Sequence, residues 1–326
     1  MASRRAFLGL GIAASAAAMT AGGVWAAYWR AISRAEARVA SGSTTIPSRF
    51  GTMEYATAGE GSPVLMVHGT GGGFDQGLEF ADRLSGNGFR VIAPSRFGYL
   101  KTDFPADPST ANQADAFVDL LDALEIDRLP VIGGSAGALP AIEFAIRHPD
   151  RCSGLVAIVP ATYAPDRPAF QPMTESQERA MRRMLGSDFL FWAAMQLMRD
   201  RMIGTMLATD PGLVAAASPA ERARAERILS EILPVSQRSR GLMNDAVLAA
   251  DPAPQALNRI SAPTLAISVE DDRFGTVDGA RYIAAQVPGA RLVVYPTGGH
   301  IWIGHHEELF AEVAAFLRSI PEVAVG

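Results

Sequence analysis

A serine between small residues carries the clearest chemical signal in this chain of 326 residues. The run Gly133-Gly134-Ser135-Ala136-Gly137 is a Gly-x-Ser-x-Gly pentapeptide, with an apolar stretch before it and a helical pattern after it. This context predicts a sharp strand-to-helix turn that holds Ser135 at the edge of a sheet. A serine hydroxyl becomes an effective nucleophile only when a base accepts its proton and a carboxylate orients that base. The chain must therefore also supply a histidine and an acid.

Two later segments supply such groups. The predicted strand 264–269 leads to Asp271 and Asp272, and the next predicted strand, 291–295, leads to His300. With serine, acid and histidine in this chain order, the sequence resembles the α/β-hydrolase superfamily over roughly residues 46–317. The resemblance implies that Ser135 is the nucleophile, that His300 is the base and that Asp272 is the acid.

The acid position leaves one alternative open. Members of the family commonly show Gly-x-x-Asp after this strand, and this chain has Val269-Glu270-Asp271-Asp272, with valine in place of the glycine. The match favours Asp272, and Asp271 is the alternative acid. Either aspartate would otherwise be an ordinary solvated carboxylate.

A glycine-rich loop at residues 68–73 resembles the His-Gly loops of the same family. The resemblance implies that the backbone N–H groups of Thr70 and Ala136 form the oxyanion hole, with Gly71 as a further candidate. The alternatives are a tight turn without a catalytic role and a phosphate-binding loop. No Lys-Ser or Lys-Thr pair follows, which disfavours the phosphate loop.

The other four histidines suit structural roles. His68 belongs to the glycine-rich turn, and His148 is expected at a solvated helix end. His305 and His306 begin the last predicted helix, where we expect surface or helix-end positions. The segment Ser95-Arg96-Phe97-Gly98-Tyr99 occupies the place of the family's Asp-x-x-Gly, and its serine predicts a structural loop near the site.

Strand and helix patterns alternate along residues 46–160 and again along 257–326, and between them the sequence shows only helix patterns. The alternation predicts an α/β fold with a mostly parallel sheet flanked by helices, and the interruption predicts a helical cap. We assign residues 1–45 to an N-terminal segment and linker, 46–160 and 257–326 to the α/β-hydrolase core, and 161–256 to the cap. The predicted cap helices are 175–184, 188–202, 220–233 and 238–249.

The cap is rich in methionine and arginine. Phe191, Met195, Met198 and Met202 share one helix face, which favours packing against the core over contact with an apolar substrate. Solvated faces shared with glutamates are the expectation for six arginines, Arg179, Arg182, Arg183, Arg222, Arg224 and Arg227.

The N-terminus contains a long uncharged run. Residues 6–29 carry no charge and follow Ser3-Arg4-Arg5-Ala6-Phe7-Leu8, which resembles a twin-arginine export signal. We therefore expect an exported protein, periplasmic or extracellular, or one anchored in the membrane through residues 6–29. A buried helix of the soluble domain is the alternative. Val24-Trp25-Ala26 is a weak cleavage pattern, and residues 41–45 are predicted to form a flexible linker.

Composition narrows the function. A net charge of -5 disfavours a nucleic-acid partner, and the single cysteine, Cys152, allows no intrachain disulfide. Neither a metal nor an organic cofactor is implied. The most suitable substrate is a small carboxylic ester with an apolar acyl or alcohol group. A hydrolase of carbon–carbon bonds in vinylogous diketones and a non-catalytic binding protein on the same fold are the alternatives, and the oligomeric state stays open.

Overall fold

An eight-stranded sheet forms the centre of the computed structural model, which describes residues 22–167 and 174–320. The strand order is β1-β2-β4-β3-β5-β6-β7-β8. The bounds are β1 Thr44–Ser48, β2 Gly51–Ala58, β3 Ser62–Val67, β4 Phe89–Pro94, β5 Leu129–Gly134, β6 Cys152–Ile158, β7 Thr264–Val269 and β8 Arg291–Tyr295. Strand β2 pairs antiparallel with β1 and β4, and the pairs from β4 to β8 are parallel. The predicted fold class is confirmed.

Successive side chains of the central strands enter two different cores. In β3, Val64 and Met66 face one core, whereas Leu65 and Val67 face the other. Such continuous apolar runs are typical of parallel strands that are covered on both faces. One face packs against α2 (Phe74–Phe80), α3 (Asp82–Ser85) and α13 (His306–Ser319), and the other against α4 (Thr110–Ala123), α5 (Ala138–Arg147) and α12 (Thr276–Gln286). The carboxyl ends of the parallel strands therefore meet at one edge of the sheet.

Six α-helices lie between β6 and β7 in the part of this stretch that the structure describes, where the sequence predicts a cap. They are α6 Glu175–Leu185, α7 Asp188–Leu197, α8 Arg199–Met206, α9 Pro211–Ala216, α10 Pro219–Ser230 and α11 Ser239–Leu248. The prediction of one helix from 188 to 202 is wrong, because Met198 leaves the helical conformation at φ −135° and separates α7 from α8. Helix α9 has only six residues, too few to show a period in the sequence.

Residues 22–40 form a helix, α1, that packs on the rest of the molecule through Ile32, Ala35 and Val39. The linker prediction is wrong at its end, because Thr44 and Thr45 already pair with Tyr55 and Glu54 of β2. The twin-arginine pattern and most of the uncharged run lie outside the described residues. Across 22–167 and 174–320, no helix has the length and hydropathy that crossing a bilayer requires.

Candidate active site

Ser135 occupies a strained turn between β5 and α5. Its φ of 51° lies in the left-handed region, which costs a residue with a side chain about 1–3 kcal/mol and persists only where the surroundings enforce it. The surroundings are tight, because a Cβ on Gly137 would lie 2.4 Å from the carbonyl oxygens of His68 and Val67. The glycine therefore lets the turn lie directly against the end of β3, and this packing holds Ser135 in its strained conformation.

His300 joins the serine to an acid. Its Nε2 lies 2.9 Å from Oγ of Ser135, and its Nδ1 lies 2.8 Å from Oδ2 of Asp272. Ser135 follows β5, Asp272 follows β7 and His300 is on the loop after β8, so three strand ends at the same edge of the sheet bring the side chains together. The ring edge of Phe274 contacts the imidazole at a centroid distance of 4.9 Å.

The carboxylate of Asp272 is buried and fully hydrogen-bonded. Its Oδ1 accepts from the backbone N–H of Phe274 at 2.9 Å, and its Oδ2 accepts from the hydroxyl of Thr276 as well as from His300. Burial opposes its ionisation, but the charge of His300 and these hydrogen bonds outweigh burial and lower the pKa of Asp272 below its ordinary value. The acid is therefore ionised at neutral pH.

Asp271 takes a different position from its neighbour. Its Oδ1 accepts a hydrogen bond from the backbone N–H of Gly299 at 2.7 Å. Asp272 thus contacts the imidazole of His300, and Asp271 binds the backbone of Gly299, the residue just before that histidine.

The glycine-rich loop passes beside the serine. A Cβ on Gly69 would lie 3.1 Å from Cβ of Ser135, and both Gly69 and Thr70 line the same cavity as the serine. Ala136 follows Ser135 in the turn and is buried. Of the two residues predicted to supply backbone N–H groups, Thr70 thus lines the cavity that contains Ser135, and Ala136 is its neighbour in the turn.

His68 has a structural position, as its sequence context indicates. It is fully buried, its Nδ1 donates to the carbonyl of Gly69 at 2.7 Å, and its Nε2 accepts from the backbone N–H of Arg96 at 3.0 Å. Burial and the nearby charges of Arg96 and Arg238 lower the pKa of His68 well below its ordinary value. A neutral imidazole thus joins the glycine-rich loop to the segment after β4.

The other histidines lie away from the serine. His148 ends α5 and contacts Asp115 at 2.7 Å, as a helix-end residue should. His306 has the predicted helix-end position, at the start of α13, but it is not at the surface. It is buried between the indole N–H of Trp302, at 3.2 Å, and the carboxylate of Asp82, at 3.0 Å. Its partner Trp302 is on the loop that carries His300.

A buried ion pair joins the cap to the glycine-rich loop. Arg96 forms two hydrogen bonds with Asp245 of α11, one of them 2.8 Å long, and also donates to the carbonyl of Gly69 at 3.2 Å. The hydroxyl of Tyr99 donates to Asp245 at 2.6 Å and accepts from the N–H of Gly71 at 3.3 Å. The loop predicted at Ser95–Tyr99 thus has a structural role, but the sequence did not single out Arg96 or Asp245.

A second buried ion pair, between Arg238 and Asp75, also contacts the glycine-rich loop. Arg238 is fully buried, donates to both oxygens of Asp75 and also donates to the carbonyl of Gly72. Asp75 also accepts from Arg38 of α1 at 3.0 Å. The cap and α1 therefore share one carboxylate at the start of α2. These residues are far apart in sequence, and no local pattern marks them.

Cap helix α10 holds the loop that carries His300. Arg224 donates to the carbonyl of Ile301 at 2.7 Å, and its guanidinium lies 5.8 Å from the ring centroid of Trp302. Its partner Glu221 accepts from the N–H of Gly304 at 2.9 Å. The prediction that Arg224 is solvated is wrong, because this side chain points at the core. Arg179 and Arg182 do form exposed pairs with glutamates one turn earlier.

The serine and histidine open into a cavity of about 610 Å³. Its walls are mostly apolar and include Met181, Met184 and Leu185 of α6, with Met206 and Leu207 from the end of α8. Of the four cap side chains predicted to share one helix face, Phe191, Met195 and Met202 are buried in the core, as predicted, whereas Met198 is exposed. Polar groups in the wall are few, and they include Arg167, Asp245 and Arg273.

Comparisons with known proteins agree with this architecture. A family profile described as alpha/beta hydrolase fold matches residues 62–304. A 2-hydroxy-6-oxo-6-phenylhexa-2,4-dienoate hydrolase from Burkholderia cepacia is 27% identical over 258 residues, which cover 78% of this chain and 86% of that protein. An alpha/beta hydrolase fold protein from Nakamurella multipartita has a similar structure, with a TM-score of 0.66 at 28% identity, over 85% of this chain and 99% of that one. An esterase from Exiguobacterium antarcticum shares the fold at 19% identity, with a TM-score of 0.66 over 85% and 99% of the two chains.

Proposed function

The chain belongs to the α/β-hydrolase family and is a hydrolase, and on that premise we propose that it cleaves a carboxylic ester through an acyl-enzyme on Ser135. The observation that carries the proposal is the continuous line from Ser135 Oγ through His300 to Asp272, with separations of 2.9 and 2.8 Å. The mostly apolar cavity around this line suits an apolar acyl or alcohol group.

The reaction would proceed in two halves. Ser135 Oγ attacks the ester carbonyl carbon while Nε2 of His300 takes its proton, and the resulting oxyanion accepts hydrogen bonds from the N–H groups of Ala136 and Thr70. His300 then gives this proton to the leaving alkoxide, and the alcohol departs. In the second half, a water molecule gives a proton to His300 and attacks the acyl carbon. The bond between the acyl carbon and Ser135 Oγ then breaks, His300 returns the proton to Oγ, and the acid departs. Asp272 orients the imidazole and stabilises its charged form throughout.

The thiol of Cys152 is excluded as nucleophile by its surroundings. It lies fully buried at the start of β6, and burial raises its pKa to about 12, so it holds its proton at neutral pH.

A fluorophosphonate probe tests the proposal directly. Wild type should be labelled at Ser135 and should hydrolyse p-nitrophenyl esters, and Ser135→Ala should do neither. Cys152→Ala is the matched control and should keep both activities. Absence of labelling and of ester hydrolysis in folded wild type would contradict the esterase proposal and favour a non-catalytic binding protein.

A carbon–carbon bond hydrolase is the second candidate, and one feature of the cavity favours it. The relative from Burkholderia cepacia is named for a dienoate, which is a carboxylate, and two arginines, Arg167 and Arg273, line this cavity. The guanidinium of Arg273 pairs with Asp210 at 2.7 Å, so Arg167 is the better candidate to bind a carboxylate. Arg167 is held there by the carbonyls of Thr162 and Ala249, at 3.2 and 3.1 Å. Two results together would establish this candidate. The protein would hydrolyse a 2-hydroxy-6-oxodienoate faster than esters, and Arg167→Met would slow this reaction but not the hydrolysis of neutral esters.

We further propose that residues 1–29 direct the protein out of the cytoplasm or hold it at the membrane. The support is the uncharged run 6–29 and the arginine pair Arg4 and Arg5 before it. Cell fractionation of wild type and of an Arg4→Lys/Arg5→Lys variant tests export, and N-terminal sequencing of the mature protein separates a cleaved signal from a retained anchor. An unprocessed wild-type protein found only in the cytoplasm would contradict both.

A further inference from the structure

The exposed apolar side chains of the described residues are concentrated on one part of the surface. Of nine large hydrophobic residues that are exposed there, six belong to α1 and the region of α7. They are Val24, Trp25, Trp29, Leu190, Leu197 and Met198, and we call this set the α1–α7 surface. Leu197 is the most exposed of them, at 83%. Clusters of this kind on a folded domain mark a surface that binds a partner or a membrane.

The two helices form one surface because aromatic rings join them. The ring of Phe189 on α7 lies 6.0 Å from that of Trp25 and 5.2 Å from that of Tyr28, and Tyr28 also contacts Trp192 at 5.7 Å. The second half of α1 is anchored separately, through the burial of Ile32, Ala35 and Val39. The first half of α1 can therefore present Trp25 and Trp29 outward without losing its attachment.

The chemistry of the surface and of the adjoining chain fits a lipid. Tryptophan and tyrosine are favoured where apolar and aqueous phases meet, because their rings are apolar and their N–H and O–H groups are polar. The chain that enters α1 is uncharged from Ala6 onwards, and it reaches the described residues at 22, two positions before Val24. Both the α1–α7 surface and the segment before it are thus apolar, and they are continuous along the chain.

From these observations we propose that the α1–α7 surface binds a phospholipid bilayer, with the tryptophans of α1 and the exposed end of α7 at the lipid–water interface. This proposal concerns the folded domain. Cleavage after Ala26 would remove Val24 and Trp25 and would leave Trp29, Leu190, Leu197 and Met198 on the surface. Along the chain, only Gly186 and Ser187 separate α7 from α6, whose methionines line the cavity.

A lipid-borne quencher tests the contact at a position far along the chain from the leader. Because Cys152 is buried, a cysteine introduced on the surface is the only reactive thiol. Full-length Leu197→Cys, labelled with an environment-sensitive fluorophore, is mixed with vesicles of phosphatidylcholine and phosphatidylglycerol that carry a nitroxide lipid. Leu292→Cys is the matched control, since it is an exposed leucine on the edge strand β8. We expect a blue shift and loss of emission at position 197, no change at 292, and a weaker effect at 197 when Trp25→Ser and Trp29→Ser are added.

Three results would overturn the proposal. The first is a vesicle-bound protein whose label at 197 is not quenched, and the second is equal quenching at 197 and 292. The third is a label at 197 that is shielded before vesicles are added, together with disulfide cross-linking between unlabelled Leu197→Cys chains. A second copy of the chain would then cover the surface. Fluorophosphonate labelling of the same samples reports on Ser135 independently, so failure of the lipid contact does not depend on failure of the proposed reaction.

Discussion

The carboxylate of Asp272 lies 2.8 Å from Nδ1 of His300, and the adjacent aspartate in the sequence has another partner, the N–H of Gly299. We expect Asp272→Asn to lower kcat by about 10⁴-fold, because an amide cannot hold the imidazole in the required tautomer or stabilise its charge. Asp271→Asn keeps an oxygen that can accept from Gly299 and should lose about tenfold or less. Steady-state kinetics on a p-nitrophenyl ester measures both. Equal losses for the two variants would contradict the assignment of Asp272 as the acid.

Two glycines of the serine turn should respond very differently to a methyl group. A Cβ on Gly137 would lie 2.4 Å from two backbone carbonyl oxygens, whereas a Cβ on Gly134 would lie 3.7 Å from its nearest neighbour, a methionine methyl. Gly137→Ala should therefore destabilise the protein by about 3 kcal/mol or more, and Gly134→Ala by about 1 kcal/mol or less. Urea denaturation measures both changes. A Gly137→Ala variant as stable as wild type would show that the turn can move away from the end of β3.

Removal of one member of the buried pair Arg96–Asp245 should cost more than removal of both. Asp245→Leu leaves the buried guanidinium unpaired and should reduce the free energy of unfolding by about 3–5 kcal/mol, and Arg96→Met is the other single variant. Arg96→Met/Asp245→Leu removes both charges and should recover part of this loss. The free energies of unfolding of the single and double variants form a double-mutant cycle. Strictly additive losses would show that the two side chains do not interact.

Arg224 should affect the reaction without contacting the substrate. Arg224→Met removes the hydrogen bond to the carbonyl of Ile301, so the loop that carries His300 loses a support. We expect kcat to fall by about ten- to a hundredfold with little change in KM, because a small displacement of a catalytic group is sufficient for such a loss. Arg222→Met on the same helix is the control. An increase in KM alone would assign Arg224 to substrate binding instead.

Glu231 should make stability depend on pH. Burial and the nearby charge of Glu79 raise its pKa to about 7, with a further rise from Asp75, and Arg38 and Arg227 oppose these effects. The folded state therefore holds the proton more tightly than the unfolded state. The protonated Glu231 carboxyl therefore stabilises the folded state most at pH values below the pKa that it has in the unfolded chain. This stabilisation is lost as pH rises towards 7. Glu231→Gln should match wild type near pH 4 and exceed its Tm by about 2–4 °C at pH 8, the shift that 1 kcal/mol produces in a domain of this size.

A pH series of thermal denaturation curves tests this dependence. Glu36→Gln, which removes a charge from an exposed position of α1, is the control and should show a constant difference from wild type. A constant difference for Glu231→Gln as well would mean that the Glu231 carboxyl titrates alike in the folded and unfolded states.

Local patterns were sufficient for the strands and the turn that carry the site residues, but not for every cap helix. The apolar run of β7 and the small residues around Ser135 predicted a buried strand and a sharp turn, and the structure has both. Each depends on contacts within a few residues, so the sequence contains the information locally. The order of Ser135, Asp272 and His300 along the chain added the family resemblance, which implied how strand ends would bring them together.

Tertiary structure alone decided what surrounds these residues. Asp271 and Asp272 have the same chemistry in adjacent positions, and the path of the loop after β7 determines which of them faces His300. Arg96 and Asp245 are 149 residues apart, and Arg38 reaches Asp75 from a helix that the sequence suggested was a leader. Arg224 looked like one arginine among several on a solvated helix, yet it is buried against Ile301. Side chains that pair across distant segments leave no periodic pattern in the sequence, because their partners are chosen by the packing of the cap on the sheet.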